Sequence, residues 1–444
     1  MEVPVHVQEL LDALRAGGFT ACPVGGCVRD SLLGRVPGDW DLCTSARPEQ
    51  VKQRLSGRWR TVDTGVAHGT VTVLTAGGPV EVTTFRVEDG YSDHRRPDGV
   101  RFVASLEEDL ARRDFTVNAM ALDEGGIVDP FGGRADLEAR VIRCVGEPAA
   151  RFEEDALRIL RALRFAACLD FSIEPATLAA ARAAAPTLCR VSAERVFAEL
   201  DKLLRGAGAG RVLAESGDIL AQVIPAIGPC LGFDLHTPRH DRDLWAHIAR
   251  AVGLAPARRN VRWALLLHDL AKPACFALDA GGVGHAPGHA ARGAALARQI
   301  LADLKAPGRL ARAVEPLVRW HDTPMPQDLP GARRWLGRWG WPTLEEMVAV
   351  KRADLRAHAA TAVIRRRLEE ADRFERLAGE AHRRGDCVSL EQLAVNGSDL
   401  MRAGVCKAGP RLGRLLGAAL NEVIEGRLEN DPETLLAWAK TQKN

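Results

Sequence analysis

Two aspartates that follow a glycine pair could together hold a divalent metal ion. Gly25 and Gly26 allow the backbone to turn closely around a ligand, and the helix predicted to begin after them directs free N–H groups towards phosphate. Asp39 and Asp41 follow, and on a strand their i, i+2 spacing puts both carboxylates on one face. Two such oxygen donors suit Mg²⁺. The ion would lower the pKa of an attacking hydroxyl and neutralise leaving pyrophosphate during in-line attack on a triphosphate.

Other interpretations of these carboxylates remain open at the level of sequence. Two aspartates placed after Pro37 and Gly38 also fit a solvated turn. Glu81 lies in the strand-like run VEVTTF, where it either adds a third carboxylate or is an ordinary surface residue. Asp39 and Asp41 are nevertheless the candidate catalytic pair.

A second group of charged residues has the hydrogen-bonding character needed to distinguish nucleobases. Glu154 and Asp155 precede Arg158 by four and three residues, so all three are predicted to lie on one helical face. A carboxylate only accepts hydrogen bonds and a guanidinium only donates them, which suits the amino group and unprotonated ring nitrogen of cytosine or adenine. Uracil and guanine present the reverse pattern and would leave buried polar groups unpaired. A surface ion pair is the alternative. Arg161 and Arg164 are predicted to extend the basic face towards RNA phosphate.

The composition is that of a soluble globular protein with several domains. Its 444 residues predict two to four domains, and the net charge of +2 leaves open where the 60 basic residues cluster. Ten cysteines are scattered without a CxxC pair, which predicts small buried residues in a reducing cytosol. The N-terminus predicts an amphipathic helix without the apolar core of a signal peptide, and no later segment is apolar enough to span a bilayer. We therefore expect a cytoplasmic protein.

Changes in periodicity along the chain predict four domains. Residues 20–145 mix strand-like runs such as TVTVLTA with glycine-rich turns, whereas the pattern becomes helical from about Glu147. Boundaries are expected after Gly146, between Pro225 and Pro238, and near Gly385. The predicted domains are thus residues 1–146, 147–225, 226–384 and 385–444, in an α+β fold whose head has a mixed sheet.

The ordered motifs of residues 20–205 resemble those of the bacterial CCA-adding enzymes and poly(A) polymerases, the class II tRNA nucleotidyltransferases. The motifs are GGCVRDSLLG, DWD, TGVAHGTVTV, TTFRVEDGYSDHRRPDGVRF, RRDFTVNAMAL, DPFGG and EEDALRILRALRF. The resemblance implies a nucleotidyltransferase head, a helical neck for base recognition and RNA binding, and a tRNA-binding tail. It also implies that Asp39 and Asp41 hold the catalytic metals, and that the EDxxR motif reads the base.

The resemblance assigns further residues to nucleotide binding. In RRDFTVN it implies ribose and triphosphate contacts from Arg112, Asp114 and Asn118, and it places Arg29 and Asp30 beside the phosphates. An Arg–Asp pair that ties the loop to the helix is the alternative for the last two. The run SAERVFAELDKLL is similar to a fifth motif that braces the neck, so its charged residues, Glu194, Arg195 and Glu199, are predicted to be structural. NGSDLM in the tail departs from the usual Gly-Asp-Asp-Leu form and is given no catalytic role.

Histidines and aspartates in the second half of the chain resemble the HD phosphohydrolase pattern. The pattern comprises His247, His268, Asp269, His289, His321 and Asp354. Such ligands from separate helices hold one or two transition metals above a water nucleophile. The resemblance implies an HD domain that binds Ni²⁺, Mn²⁺ or Co²⁺ and has phosphatase or 2′,3′-cyclic phosphodiesterase activity. The alternative is a domain kept for its shape, which holds the tRNA body.

These observations favour template-independent addition of C, C and A to tRNA from CTP and ATP. A poly(A) polymerase or an enzyme that adds only part of CCA is the first alternative, and RRDFTVNAMAL and the complete loop EDGYSDHRRPDGVRF argue against it. The second is an HD hydrolase or RNA-binding protein with an inactive head, which the joint presence of Asp39, Asp41, Asp155 and Arg158 argues against. The expected partners are tRNA and the two nucleotides, without a membrane, for a monomer or homodimer.

Overall fold

A computed structural model of the chain describes residues 2–89, 99–237 and 242–442. The chain divides into two units, Met1–Gly228 and Pro229–Asn444. Within the described residues, the helices of the first unit are α1 (Val5–Arg15), α2 (Gly26–Leu32), α3 (Pro48–Leu55), α4 (Leu106–Ala111), α5 (Gly133–Ala139), α6 (Pro148–Glu154), α7 (Leu157–Leu169), α8 (Pro175–Ala184), α9 (Ala193–Leu204), α10 (Ala209–Glu215) and α11 (Gly217–Leu220). Its strands are β1 (Ala21–Pro23), β2 (Asp41–Thr44), β3 (Arg60–Gly65), β4 (Thr70–Thr75), β5 (Gly78–Thr84), β6 (Arg86–Asp89), β7 (Gly99–Phe102), β8 (Ala121–Asp123), β9 (Gly126–Val128), β10 (Val141–Ile142) and β11 (Ser172–Ile173).

The first unit is built on a five-stranded mixed sheet with the order β1-β2-β5-β4-β3. Strand β2 runs antiparallel to β1 and parallel to β5, and β4 runs antiparallel to both β3 and β5. Apolar residues alternate along the strands and are buried on one side of the sheet, as in β4, where Val71 and Val73 are fully buried. The amphipathic helix predicted at the N-terminus is confirmed as α1, whose residues Val7, Leu10 and Leu14 are buried at helical spacing.

Helices follow the sheet, and two of them approach each other at a glycine. Helix α7 buries most of its residues and packs against α9. Gly206 follows α9, where a Cβ atom would lie 2.4 Å from the carbonyl oxygen of Ala167 in α7. A larger residue cannot take this place without moving one of the helices.

The predicted change from a mixed head to a helical region is confirmed, and so is the α+β class.

The second unit is almost entirely helical in its described residues. Its helices are α12 (Leu244–Leu254), α13 (Arg259–Leu267), α14 (Lys272–Cys275), α15 (His289–Asp303), α16 (Gly308–Trp320), α17 (Leu329–Trp339), α18 (Trp341–Ala357), α19 (Ala362–Arg384), α20 (Gly397–Arg402), α21 (Pro410–Ile424) and α22 (Pro432–Thr441). A short hairpin is formed by β12 (Ala277–Leu278) and β13 (Gly284–His285). Helices α12, α13, α16 and α18 pack together. His247 lies in α12, and His268 and His321 come directly after α13 and α16.

The cysteines differ in part from the prediction. All ten are free thiols, and six of them are buried. The prediction of burial is wrong for Cys189, which is exposed, and for the partly exposed Cys168, Cys275 and Cys406.

No helix among residues 2–89, 99–237 and 242–442 is both long and apolar enough to cross a membrane.

Candidate active site and candidate metal centre

Two carboxylates meet at the edge of the mixed sheet. Asp41 is the first residue of β2 and lies opposite Glu81 in the parallel register with β5. Burial, Glu81 and Asp39 raise the pKa of Asp41, whereas Arg113 lowers it. Negative charges thus accumulate at this edge, where a cation would stabilise them.

The prediction that both catalytic aspartates lie on a strand is wrong for Asp39. This residue occupies an exposed bend, and β2 begins only at Asp41. Trp40, between the two aspartates, is buried, whereas Asp39 is exposed and Asp41 is partly exposed. Gly25 has a φ of 78° at the start of α2, so the predicted glycine turn before a helix is confirmed.

A cavity of about 540 Å³ extends from this sheet edge to the helices of the first unit. Seven residues that the sequence offered as metal or nucleotide ligands line it: Asp41, Glu81, Arg112, Asp114, Asp155, Arg158 and Arg161. Three arginines that the sequence did not assign to nucleotide binding, Arg86, Arg113 and Arg195, also line it. Six other predicted residues do not line this cavity: Gly26, Arg29, Asp39, Asn118, Glu154 and Arg164.

Asp114 is held by arginine and by its own loop. Its Oδ2 accepts a hydrogen bond of 2.7 Å from Arg161 Nε, and its Oδ1 accepts one of 2.9 Å from the backbone N–H of Phe115. Burial opposes ionisation, but the charge and hydrogen bond of Arg161 outweigh it and lower the pKa of Asp114. The carboxylate therefore remains charged and fixes the Arg161 side chain at the cavity wall.

Arg29 connects α2 to the loop that contains Asn118. Its Nη1 donates to Asn118 Oδ1 across 2.6 Å, and its Nε donates to Asp30 Oδ1 across 2.9 Å. The side chain is nearly buried. These contacts match the alternative in which the Arg–Asp pair ties loop to helix, and the role of Arg29 beside phosphate stays a prediction.

The helix carrying the predicted base-reading residues is interrupted between them. Helix α6 ends at Glu154, Asp155 caps it in an extended conformation, and α7 begins at Leu157. The prediction of one continuous helical face is therefore wrong. Glu154 forms ion pairs with Arg151 and Arg158, as the surface-pair alternative describes. Asp155 and Arg158 nevertheless both line the cavity.

Arg195, which we predicted to be structural, contacts Asp155, which we predicted to read the base. Its Nη2 donates to Asp155 Oδ2 across 2.8 Å, while Asp155 Oδ1 accepts from the N–H of Leu157 across 3.0 Å. The Arg195 side chain lines the cavity as well. Its position in SAERVFAELDKLL gave no such signal, because the approach of α9 to the α6–α7 break is a tertiary contact.

Arg164 is turned towards α9. Its Nε lies 2.5 Å from Glu199 Oε2, and its guanidinium lies 3.9 Å from the centroid of the Phe165 ring. Burial lowers the pKa of Arg164. This ion pair fits the structural role predicted for Glu199, whereas the predicted contact of Arg164 with RNA phosphate stays a prediction.

Arginines 112 and 113 share one buried carboxylate. Arg112 donates to Asp109 Oδ1 from Nε across 2.9 Å, and Arg113 Nη2 lies 3.4 Å from Asp109 Oδ2. A Cβ atom on Gly25 would lie 2.9 Å from Arg113 Nη1, so the glycine turn leaves room for this guanidinium. Arg113 stands next to Arg112 in the motif RRDFTVN, and this position was the feature of the sequence that could have indicated it.

The second unit brings all six residues of the histidine–aspartate pattern together. One group comprises His247, His268, Asp269 and Asp354, and the other comprises Asp269, His289 and His321. Within each group the donor atoms lie within 4.8 Å of one another, and all six residues are buried. Within the described part of the chain, these are the groups of three or more such residues that could hold a metal ion. Asp269 belongs to both, an arrangement suited to one or two metal ions.

Three of these histidines are oriented by backbone carbonyls. The Nδ1 atom of His268 lies 2.7 Å from the backbone oxygen of Leu265. The Nδ1 atom of His289 lies 2.8 Å from the oxygen of Ala286, and that of His321 lies 2.7 Å from the oxygen of Val318. A carbonyl only accepts, so Nδ1 carries the proton and Nε2 is left to bind a metal. The three Nε2 atoms lie 3.2 to 3.6 Å from Asp269 oxygens.

Two buried polar atoms at this cluster have no hydrogen-bond partner within the described residues. They are Nε2 of His268 and Oδ1 of Asp269. Burial disfavours protonation, but Asp269 and Asp354 outweigh it and raise the pKa of His268 to about 10. An orphaned nitrogen and an orphaned oxygen within one buried cluster of metal-binding side chains fit a transition metal, which would satisfy both.

The chain is similar to known proteins along most of its length. Three family models match the chain: “Poly A polymerase head domain” at residues 22–143, “Probable RNA and SrmB- binding site of polymerase A” at 170–229, and “tRNA nucleotidyltransferase domain 2 putative” at 291–439. The CCA-adding enzyme of Streptococcus thermophilus is 36% identical over 438 residues, which are 98% of this chain and 96% of that protein. The chain belongs to the CCA-adding enzymes. Its activity is the template-independent nucleotidyl transfer of that family.

Solved CCA-adding enzymes share the fold over the whole length of the chain. The Bacillus stearothermophilus enzyme in complex with CTP has a TM-score of 0.72 at 32% identity and covers 99% of this chain and 97% of its own. The Thermotoga maritima enzyme complexed with tRNA_CCA has a TM-score of 0.59 at 18% identity and covers 99% and 95%, a likeness of fold. The poly(A) polymerase, partial-addition and inactive-head alternatives are accordingly not favoured.

One motif of the CCA-adding enzymes lies partly outside the described residues. The loop EDGYSDHRRPDGVRF spans residues 88–102, of which residues 90–98 are outside them. The prediction that the loop is complete therefore rests on its sequence.

Proposed function

We propose that the chain adds C, C and A to the 3′ end of tRNA from CTP and ATP, and that the cavity of the first unit is its active site. The observation that carries this proposal is that carboxylates suited to Mg²⁺ and a carboxylate–guanidinium pair suited to a base line the same cavity. The CTP complex of the relative from Bacillus stearothermophilus supports it.

Asp39 and Asp41 would hold Mg²⁺, and Glu81 faces the same edge. The raised pKa of Asp41 supports this, because it reflects burial and crowded negative charge that a cation would offset. When bound, the ion lowers the pKa of the attacking hydroxyl and neutralises developing phosphate charge. The RNA 3′-hydroxyl oxygen then forms a bond to the α-phosphorus, the bond to the bridging oxygen breaks, and pyrophosphate leaves.

Arginines on the cavity wall would hold the triphosphate. Arg112, Arg113 and Arg161 line the cavity, and each is fixed by a carboxylate, Asp109 or Asp114. These side chains are already held in place before the nucleotide binds, so binding costs little further conformational entropy. Arg29 and Asn118 would act behind them by holding the loop in place.

Asp155 and Arg158 would select the base. Two of the lone pairs of the Asp155 carboxylate are occupied by Leu157 and Arg195, and the others remain to accept from an exocyclic amino group. Arg158 donates to the carbonyl of Arg112 across 3.3 Å, which holds its guanidinium at the wall. Uracil or guanine would place a carbonyl against the carboxylate, and that arrangement is rejected.

The direct test is incubation of the purified chain and Mg²⁺ with tRNA that lacks its 3′ CCA. Each labelled nucleoside triphosphate is offered singly and in mixtures, and the products are sized. We expect two C and one A to be added, and we expect Asp41→Ala to abolish addition. Asp63→Ala is the matched control, because Asp63 is an exposed residue of β3 paired with Lys52. Long A tails, or full activity of Asp41→Ala, would contradict the proposal.

We also propose a second activity, metal-dependent hydrolysis in an HD domain. The orphaned Nε2 of His268 and Oδ1 of Asp269 support it. His247, His268, Asp269, His289, His321 and Asp354 would hold Ni²⁺, Mn²⁺ or Co²⁺. Elemental analysis of the dialysed protein tests this. We expect bound metal in the natural chain and in the control variant Asp303→Ala, and none in Asp269→Ala. Asp303 is an exposed residue of α15.

The finer organisation is also a proposal. We infer four domains at residues 1–146, 147–225, 226–384 and 385–444, with the tail binding tRNA, in a cytoplasmic monomer or homodimer that acts away from membranes. Light scattering during size-exclusion chromatography distinguishes monomer from dimer. Cleavage by a protease at low concentration near residues 146, 225 and 385 would support the boundaries, whereas cuts within helices would contradict them.

A further inference from the structure

A second cleft of the helical unit, of about 530 Å³, is lined by α18, α19 and the segment that joins α12 to α13. Its volume is that of a small-molecule site. It shares no residue with the histidine–aspartate cluster. The charged residues of its lining are Arg258 before α13, Glu345, Arg352 and Arg356 of α18, and Asp372, Glu375 and Arg376 of α19.

Arg352 joins the two long helices of this cleft. Its Nη2 donates to Asp372 Oδ1 across 2.6 Å and to Glu375 Oε2 across 2.5 Å, and its Nε donates to Asp372 Oδ1 across 2.8 Å. Within the described part of the chain, neither carboxylate pairs with any other arginine of the cleft. The wall is therefore fixed by one guanidinium, and the remaining arginines are available for a ligand.

Three arginines line the cleft without a partner among residues 2–89, 99–237 and 242–442. The exposed side chains of Arg258, Arg356 and Arg376 form neither a hydrogen bond nor an ion pair there. Burial raises the pKa of Glu346 and the charge of Arg258 opposes this, but both Glu346 oxygens accept from Asn260 Nδ2, at 3.0 and 3.2 Å. The planar guanidinium groups match the oxygens of a phosphate.

The rest of the lining suits the other parts of a nucleotide. Leu254, Pro256 and Ala349 are apolar and can contact the ring of a base. Glu345 is partly exposed and forms no hydrogen bond or ion pair with the described residues. Its carboxylate is free to accept from a hydroxyl or an exocyclic amino group. Donors for phosphate, an apolar surface and a free acceptor thus line one cleft.

The charge balance of the cleft distinguishes a single nucleotide from an RNA strand. Its four arginines stand against three carboxylates, so the net positive charge is small. An RNA backbone carries a charge at every nucleotide and is bound by grooves in which positive charge continues along the strand. Glu345, Asp372 and Glu375 would repel such a strand, whereas a mononucleotide needs positive charge only around its phosphate.

We propose that this cleft binds a mononucleotide. Arg258, Arg356 and Arg376 hold the phosphate, and the base lies against Leu254 and Pro256. The cleft belongs to the second unit, whereas the cavity that we propose as the active site belongs to the first. Binding here requires neither CCA addition nor metal in the histidine–aspartate cluster.

Equilibrium dialysis of the full chain against labelled adenosine 5′-monophosphate measures this binding. Cross-linking with 8-azidoadenosine 5′-monophosphate, followed by mass spectrometry of the peptides, locates it, and we expect cross-links in α18 or α19. Arg356→Ala and Arg376→Ala should each weaken binding at this site by roughly tenfold or more. Arg373→Ala is the matched control, because Arg373 is an exposed residue of α19 that does not line the cleft. Nucleotide held in the first unit adds a component that these substitutions leave unchanged.

The outcomes separate a nucleotide site from other uses of these arginines. Weaker binding in Arg356→Ala and Arg376→Ala but not in Arg373→Ala, with cross-links in α18 or α19, supports the site. Equal binding by the natural chain and all variants, or cross-links confined to the first unit, overturns it. Adenosine that binds as tightly as its monophosphate also overturns it, because phosphate would then not be recognised. Weaker tRNA binding by Arg376→Ala in a filter assay, with nucleotide binding unchanged, would assign the arginines to RNA instead.

Discussion

Arg195 of α9 donates a hydrogen bond of 2.8 Å from Nη2 to Oδ2 of Asp155, at the break between α6 and α7. Asp155 caps a helix and would otherwise be held by one bond to the N–H of Leu157. The contact fixes the rotation of the carboxylate that we propose reads the base. If Asp155 reads the base as proposed, Arg195 in the neck contributes to nucleotide selection by holding that carboxylate.

Replacing Arg195 should reduce discrimination between nucleotides. In Arg195→Ala the Asp155 carboxylate loses a charged partner and can rotate, so we expect the preference for CTP over UTP to fall by roughly tenfold. The measurement is the ratio of kcat/KM for the two nucleotides on tRNA that lacks CCA. Arg205→Ala is the control, because Arg205 lies just after the same helix and pairs with Asp201 at the surface. An unchanged ratio would show that Arg195 only braces the neck.

Replacing Asp155 by its amide should change which bases are accepted. The amide of Asp155→Asn presents a donor where the carboxylate accepts, so a carbonyl of uracil becomes a suitable partner. We expect kcat/KM for CTP to fall by about a hundredfold, with a relative gain for UTP. Asp218→Asn, an exposed position in the same unit, should leave both values unchanged. Loss of CTP use without any gain for UTP would point to a structural role instead.

The stabilisation provided by Asp114 should depend on pH. Its pKa is lowered below the ordinary value of 3.8, because Arg161 outweighs the effect of burial. A carboxyl group with a depressed pKa stabilises the fold above its unfolded pKa, and this contribution is lost as the pH falls through the folded pKa. We therefore expect the difference in free energy of unfolding between the natural chain and Asp114→Asn to be largest near neutral pH and to shrink below about pH 4. Urea denaturation at several pH values measures it, and a difference that is constant with pH would contradict the prediction.

The close approach of α7 and the end of α9 should not tolerate a methyl group. A Cβ at Gly206 would lie 2.4 Å from the carbonyl oxygen of Ala167, so Gly206→Ala forces a backbone shift. We expect a loss of about 1–3 kcal/mol in the free energy of unfolding, seen as a lower Tm. Gly228→Ala is the matched control, since nothing lies within 4 Å of its added Cβ. Equal Tm values for the two variants would show that the helices adjust without cost.

Local signals in the sequence determined the elements and the type of chemistry. The glycine pair before α2, the apolar spacing of α1 and the alternation of β4 depend on neighbouring residues, which is why they were readable without the fold. The identities of Asp41, Asp155 and Arg158 likewise indicated metal and base recognition, because donor and acceptor character belongs to the residue itself.

The tertiary structure decided which of these residues face one another. The helix break at Asp155, the contact of Arg195 with it and the turning of Arg164 towards Glu199 depend on the packing of α7 against α9, which is distant in sequence. The direction of a side chain is set by the rotation and contacts of its whole helix. Sequence periodicity predicts which face of the helix is buried, but not which residues of another element pack against that face.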